Sequence, residues 1–160
     1  MQARMSSPAV RLPEVRDGLQ AAGQAAGRAA AAAGIPRSTL ELVNVRASQI
    51  NGCAVCLDMH TLGARRAGVS DQQFATVAAW RETPYFTEAE RAALALAEAG
   101  TRLADRSEPV SDEVWELAAK HYDEAGLAAL VSAIGVINAW NRLNVITAQV
   151  TGEWTAKWVE

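Results

Sequence analysis

At 160 residues, half of them hydrophobic and only 6% aromatic, the chain fits one ordinary domain, and its abundance of alanine favours close-packed helices over a sheet of β-branched side chains. A formal net charge of −3, a pI near 5.5 and the lack of any Lys/Arg cluster leave no electrostatic footprint for nucleic acid or an anionic membrane. The two cysteines are too few for a disulfide-stapled scaffold, so their spacing and neighbours decide what they do.

The first residues, "MQARMSSPAVRLPEV", place Arg4, Arg11, Pro13 and Glu14 where a signal peptide needs an unbroken apolar core, so a cytoplasmic protein is expected. Between Pro13 and Pro36, Val15, Leu19, Ala22, Ala26, Ala29 and Ala33 recur at helical spacing and predict a helix with a small-residue face. Ser38 stands three before Glu41, the spacing of a capping box, and Leu40, Val43, Ala47 and Ile50 continue a second helix to about residue 50. Asn51-Gly52 breaks it, and a third helix should run from near Cys53 to Gly68. Ser70 can cap a short fourth helix through Trp80. Thr87 and Glu90 form a second capping-box spacing before "RAALALAEAGTRL", and Ser111-Asp112 opens "EVWELAAKHY".

The last predicted helix, from about Glu124 to Val150, carries an apolar run from Leu127 to Trp140 that is too short to span a bilayer and meets Asn141, Arg142 and Asn144. It reads as a central buried helix. No strand-like alternation occurs, and nothing divides the chain, so residues 1–160 are expected to form a single all-α bundle of about six to seven helices. Trp154 and Trp158 on the tail, together with the small-residue helix of residues 13–33, suggest surfaces that dock on a neighbouring copy.

The chemistry concentrates in "NGCAVCLDMH", residues 51–60. At about 100° per residue Cys53, Cys56 and His60 share one helix face, and the first turn exposes N–H groups that favour a thiolate. An imidazole one turn beyond Cys56 supplies a proton acceptor. If the chain folds back as an αα-hairpin around Asn51-Gly52, position 41 lies across from about position 62. Glu41 would then orient His60, which would serve a thiol. The same hairpin would bring Gln49 and Asn51 near the cysteines, either to hold a substrate or to close the turn.

Blander readings stand beside these. The cysteines could be small apolar core residues, and Glu41 could reach back to Ser38 as a helix cap. Zinc would find Cys53, Cys56 and His60, with His121 as the one further nitrogen. Helix geometry alone favours Cys53 as the attacking thiol, since it lies nearest the unpaired amides, whereas a base within reach favours Cys56.

The stretch "LELVNVRASQINGCAVCLDMHTLGARRAGVS" resembles the alkyl hydroperoxidase D-like branch of the carboxymuconolactone decarboxylase family, and "AIGVINAWNRLNV" resembles a later helix of that family. The resemblance runs from about residue 14 to residue 150. It rests on a glutamate twelve residues before the first cysteine, the C-x-x-C, and a histidine four after the second, here Glu41, Cys53, Cys56 and His60.

The resemblance implies an all-α fold, trimers or hexamers, and a thiol-dependent peroxidase or disulfide reductase working without metal, haem or flavin. It further implies that Cys56 is attacked by a hydroperoxide, that Cys53 resolves the sulfenic acid, and that Glu41 and His60 relay protons with a bound water. An external dithiol, in better-known relatives a lipoyl group on a partner protein, would reduce the resulting disulfide. One departure is Val55, which occupies the place of an additional histidine in well-studied members. The founding decarboxylases lack the cysteine pair. A non-catalytic redox-responsive or binding protein, and a lactone decarboxylase or isomerase using Glu41 and His60, are the other readings.

Overall fold

Most helices begin where a side chain takes up an orphan N–H. In the computed structural model, which describes residues 2–152, Ser70, Thr87, Ser111 and Asp123 accept from the backbone N–H of Gln73, Glu90, Val114 and Gly126. They open α5 (Asp71–Thr76), α6 (Glu88–Thr101), α7 (Asp112–His121) and α8 (Glu124–Ile146). At Ser70 and Thr87 the capping box is complete, with Gln73 and Glu90 returning the bond. The earlier helices are α1 (Pro8–Arg11), α2 (Pro13–Ala32), α3 (Arg37–Asn51) and α4 (Ala54–Arg66). The fold is all-α, as expected.

The departures from the sequence reading have local causes. The four-residue α1, capped by Ser7 with a proline at its start, is too short to show periodicity. The helix expected from Ser70 to Trp80 is α-helical only to Thr76, then continues as a 3₁₀ run over Val77–Glu82 with a kink at Ala79. The last helix stops at Ile146 rather than Val150, because Ala148 takes a left-handed conformation (φ 51°).

The capping box proposed for Ser38 and Glu41 does not form. The cap of α3 is Pro36, without a side-chain hydrogen bond, so Ser38 lies inside the helix and Glu41 is released to other partners. The tail with Trp154 and Trp158 lies outside the described residues.

Helix α8 occupies the middle of the bundle, packed mainly on α2 and α3 and also on α6. By length and composition it could cross a membrane. In the fold its apolar side, with Leu127, Leu130 and Ile134, instead joins Ala30, Val43, Leu96 and Ala97 in one core cluster. Helix α3 is buried on two sides, since Val43 faces that cluster while the adjacent Leu42 joins Val45, Val77, Trp80 and Leu94 in another. A third, smaller cluster of Ala47, Cys53, Val55, Cys56 and Ile137 lies under the cysteine pair.

Between α3, the 3₁₀ run and α6, the buried carboxylate of Glu98 meets Arg46 at 2.6 Å, Arg81 at 2.7 Å, Arg102 at 3.5 Å and the Trp80 indole N–H at 3.3 Å. Burial alone would raise its pKa, but these cations outweigh that and hold it lowered.

The α3–α4 hairpin fixes the register on which the site depends. Gly52 closes α3 with a left-handed φ of 66°, a conformation open to glycine, and the Cys53 N–H returns to the Ser48 carbonyl at 3.0 Å. Nine residues along α4 from Ala54 the two helices run so close that a Cβ on Gly63 would lie 2.8 Å from the Glu41 carboxyl carbon and 2.8 and 2.9 Å from its oxygens. Gly63→Ala should therefore push α3 and α4 apart and cost about 1–3 kcal/mol, the usual penalty for overpacking. Urea denaturation checks this, and a midpoint equal to or above that of the parent would contradict the close approach.

Candidate active site

Because the turn at Gly52 delivers the chain straight into α4, Cys53 becomes the N-cap of that helix, and its Sγ accepts the Cys56 N–H at 3.3 Å. Cys56 sits in the first turn. The two free sulfurs lie 2.6 Å apart, with the Cys53 thiol donating to Cys56. Both are buried, at 1% and 3% exposure. From α8, the Asn144 side-chain amide donates to Cys56 Sγ at 3.4 Å. A cavity of about 140 Å³, lined in part by Gly52, Cys53, Val55, Asn144 and Gln149, adjoins the pair on the Cys53 side.

These contacts divide the two thiols. The hydrogen bond from Cys53 lowers the Cys56 pKa most, against the opposing effect of burial, and the amides of Asn144 and Asn141 and the nearby His60 add to it, so that Cys56 falls to about 6. Cys53 goes the other way. Its hydrogen is held by Cys56 and its burial disfavours charge, so its pKa rises far above the ordinary thiol range. The N-terminal amides of α4, which on paper favour Cys53, give it a single bond from the Cys56 N–H.

One turn further on, His60 Nδ1 lies 2.8 Å from Glu41 Oε2. The other carboxylate oxygen, Oε1, takes Arg37 through Nε at 2.7 Å and Nη2 at 2.6 Å. Burial pushes the Glu41 pKa up, but His60 first and Arg37 second outweigh it, and the net shift is downward. An ionised Glu41 requires the hydrogen on His60 Nδ1, which leaves Nε2 as the basic nitrogen. His60 is 24% exposed while Glu41 is 1% exposed, so the pair leads from solvent into the hairpin.

The structure thus brings Glu41, Cys53, Cys56 and His60 into one region, across the hairpin register expected from the sequence. Other candidates go elsewhere. Gln49 accepts from Arg46. The Asn51 amide ties the turn to α8, donating to Asn138 Oδ1 at 2.9 Å and Asn141 Oδ1 at 2.8 Å. His121 ends α7 and lines a separate cavity of about 250 Å³ with Glu90 and Tyr122, so it does not join the cysteines as a fourth ligand. Val55 is buried in the cluster beneath the pair, where it contributes packing.

Sequence reasoning missed Arg37, Gly63, Asn141 and Asn144. A signal for the asparagines existed: Asn138, Asn141 and Asn144 recur every three residues on an otherwise apolar helix. Arg37 stood four before Glu41, a helical ion-pair spacing.

Residues 13–99 match the model of the carboxymuconolactone decarboxylase family. The uncharacterized protein YdfG of Bacillus subtilis is 41% identical over 111 residues, covering 69% of this chain and 74% of that protein. YnjA of Escherichia coli, also uncharacterized, is 38% identical over 104 residues, covering 64% of this chain and little more than half, 55%, of its own length. Among solved structures, an Agrobacterium tumefaciens protein of unknown function, described as a candidate antioxidant defence protein AhpD, superposes with a TM-score of 0.81 at 32% identity, over 94% of this chain and 99% of its own. The debrominase Bmp8, in a variant with 2,3,4-tribromopyrrole bound, shares the fold at a TM-score of 0.75 and 20% identity, over 94% and 79% of the two chains. With the match to the family model spanning more than half of its length, and with an all-α fold shared with an AhpD candidate, the chain belongs to the AhpD-like branch of the carboxymuconolactone decarboxylase family.

Proposed function

We propose that the protein is a thiol-dependent peroxidase, or more broadly a dithiol–disulfide oxidoreductase, in which Cys56 attacks a hydroperoxide and Cys53 resolves the product. The observation that carries this reading is the asymmetry of the pair: Cys56 Sγ accepts from both the Cys53 thiol and the Asn144 amide, contacts that favour its thiolate, while Cys53 keeps its hydrogen within bonding distance of it. The Cys56 thiolate attacks the terminal oxygen of ROOH, the O–O bond breaks, and a proton relayed through His60 converts the departing alkoxide to ROH. Cys56 is left as a sulfenic acid. Cys53 sulfur then attacks Cys56 sulfur, its proton leaves with the hydroxide as water, and a disulfide remains.

An external dithiol closes the cycle. One of its thiolates attacks Cys53, the sulfur that borders the 140 Å³ cavity, and expels Cys56, the better leaving thiolate. Its second thiol then displaces Cys53 and leaves as a cyclic disulfide. A slender chain such as a lipoyl group on a partner protein suits a cavity of that size. A reducing compartment such as the cytoplasm would keep such a cycle supplied. No metal, haem or flavin enters any step.

Titration of the reduced protein with hydrogen peroxide and with an organic hydroperoxide, followed by intact mass, tests the chemistry. The parent should lose about two hydrogens as the disulfide forms. Cys56→Ser should not react, whereas Cys53→Ser should react once and stop at a sulfenic acid that a dimedone-type probe traps. A probe adduct on Cys56→Ser would reverse the assignment. Conversion of a lactone substrate that survives loss of both cysteines would replace the peroxidase reading altogether.

The relay has its own signature. Glu41→Gln and His60→Ala should each slow the first step by about 10²- to 10⁴-fold, the range for general acid–base partners, and their effects should not add in the double variant. Stopped-flow peroxide consumption measures this, and an unimpaired His60→Ala would remove the imidazole from the mechanism.

Assembly into a homo-oligomer, a trimer or hexamer, belongs to the same reading. Val131, Val145 and Ile146 on α8 and Val10, Leu12 and Val15 near the start of α2 are exposed in the single chain. Apolar surface of this kind is commonly covered by a second copy. Light scattering at micromolar concentration should give a mass several times 17.0 kDa, and a monomer would defeat the expectation.

A further inference from the structure

Helix α8 presents three asparagines to the α3–α4 hairpin, and they spend their amides differently. Asn138 Nδ2 donates to Thr101 Oγ1 at 3.1 Å and to the Ile134 carbonyl at 2.9 Å, while its Oδ1 accepts from Asn51 and Arg142. Asn141 Nδ2 donates to Ser48 Oγ at 3.1 Å and its Oδ1 accepts from Asn51. Both serve to clamp α8 to neighbouring elements. Asn141 also lies near enough to both sulfurs to favour their charged forms, but Asn144, 8% exposed, is the one whose Nδ2 donates directly to Cys56 Sγ, at 3.4 Å. A neutral thiol is a weak acceptor and a thiolate a strong one, so a buried amide N–H directed at sulfur gains most when the sulfur is charged.

We propose that Asn144 is a catalytic residue of the dithiol site, donating an amide hydrogen to Cys56 Sγ and stabilising its thiolate both when that sulfur attacks and when it leaves on reduction of the disulfide. The proposal deepens the thiol-redox reading and rests on Cys56 being the reactive sulfur.

The groups that face Cys56 are few enough to separate. On its own helix stand the Cys53 thiol and His60, and across the hairpin Glu41 acts through His60, with Arg37 beyond it. Helix α8 contributes only amides, because its nearby cation, Arg142, is directed at Asn138. Asn144 also borders the 140 Å³ cavity beside Cys53. Its donor is therefore in place on the side from which a reductant would enter, and it can receive the negative charge that appears on Cys56 as the disulfide opens. The turn after α8 braces it: the Gln149 N–H bonds the Asn144 carbonyl at 2.9 Å, and the left-handed Ala148 makes that return possible.

The test uses the full chain with Cys53→Ser, so that Cys56 is the only thiol, and reads alkylation by iodoacetamide against pH by mass spectrometry. Asn144→Ala should move the thiolate midpoint upward, with about tenfold slower alkylation below the midpoint, the size expected for loss of one hydrogen bond to a charged group. Asn144→Asp should move it further, since a carboxylate repels the thiolate. An unchanged midpoint in an Asn144→Ala variant that keeps the parent's circular dichroism overturns the proposal.

Should that variant fail to fold, the asparagine can be followed in place by NMR of the Cys53→Ser protein. The Asn144 side-chain amide protons should shift with the same midpoint as Cys56 alkylation, and protons that ignore that titration overturn the proposal equally. Alkylation needs no peroxide. A shifted midpoint in a protein inert to hydroperoxides would thus sink the peroxidase reading and leave Asn144 in place, while full peroxide turnover with an unshifted midpoint would do the reverse.

Discussion

A carboxylate at 1% exposure in the seam between two helices is tolerable only if both of its oxygens are engaged, and the site is organised around that requirement. Glu41 meets it by dividing its oxygens between Arg37 and His60. The division sets the hairpin spacing, because only the hydrogen of Gly63 leaves room for the carboxylate. It also orients His60 on the same helix face as Cys56. Removing any one of Arg37, Gly63 or the turn at Gly52 would disturb the other two.

The molecule contains a second buried carboxylate, and the contrast separates support from chemistry. Glu98 is enclosed by Arg46, Arg81 and Arg102 and receives the Trp80 indole hydrogen. Guanidinium groups do not titrate in the working range of a protein, so that cluster holds α3, α6 and the 3₁₀ run together and has no proton to pass on. Glu41 has one arginine and one imidazole. The imidazole has a donor and an acceptor nitrogen through which a proton can pass, and at 24% exposure it bridges the buried carboxylate and solvent. A buried carboxylate is thus a structural clamp or part of a relay according to whether its partner has a nitrogen that can pass a proton on.

Much of this was legible in the sequence, for reasons that differ between elements. Capping residues with short-range partners were readable at Ser70, Thr87 and Ser111, since the bond spans only three positions. The same spacing misled at Ser38 and Glu41. A histidine nineteen positions away offered Glu41 a stronger partner than its own helix start, and a tertiary contact of that length leaves no trace in local pattern. Within the site, Cys53, Cys56 and His60 were legible because one helix face carries all three, and Glu41 because a two-residue break fixes an antiparallel register. Asn144 was not, since its relation to Cys56 spans 88 positions and exists only once α8 has packed against α4.

The asymmetry of the cysteine pair follows from this assembly rather than from the motif alone. In an isolated helix the first cysteine has the greater claim on the N-terminal amides. Here the turn after Gly52 makes Cys53 the cap, with its sulfur taking one backbone hydrogen and its thiol hydrogen spent on Cys56. Cys56 collects what other elements supply: the Cys53 thiol from the cap, the Asn144 amide from α8 and the His60 field from one turn on. In the proposed cycle the same sulfur is then both the better nucleophile toward peroxide and the better leaving group toward a dithiol, while Cys53, beside the cavity, is the sulfur a dithiol meets. A motif reading assigns roles by position along the helix; the packing of α8 and the hairpin assigns them by where a negative charge is best tolerated.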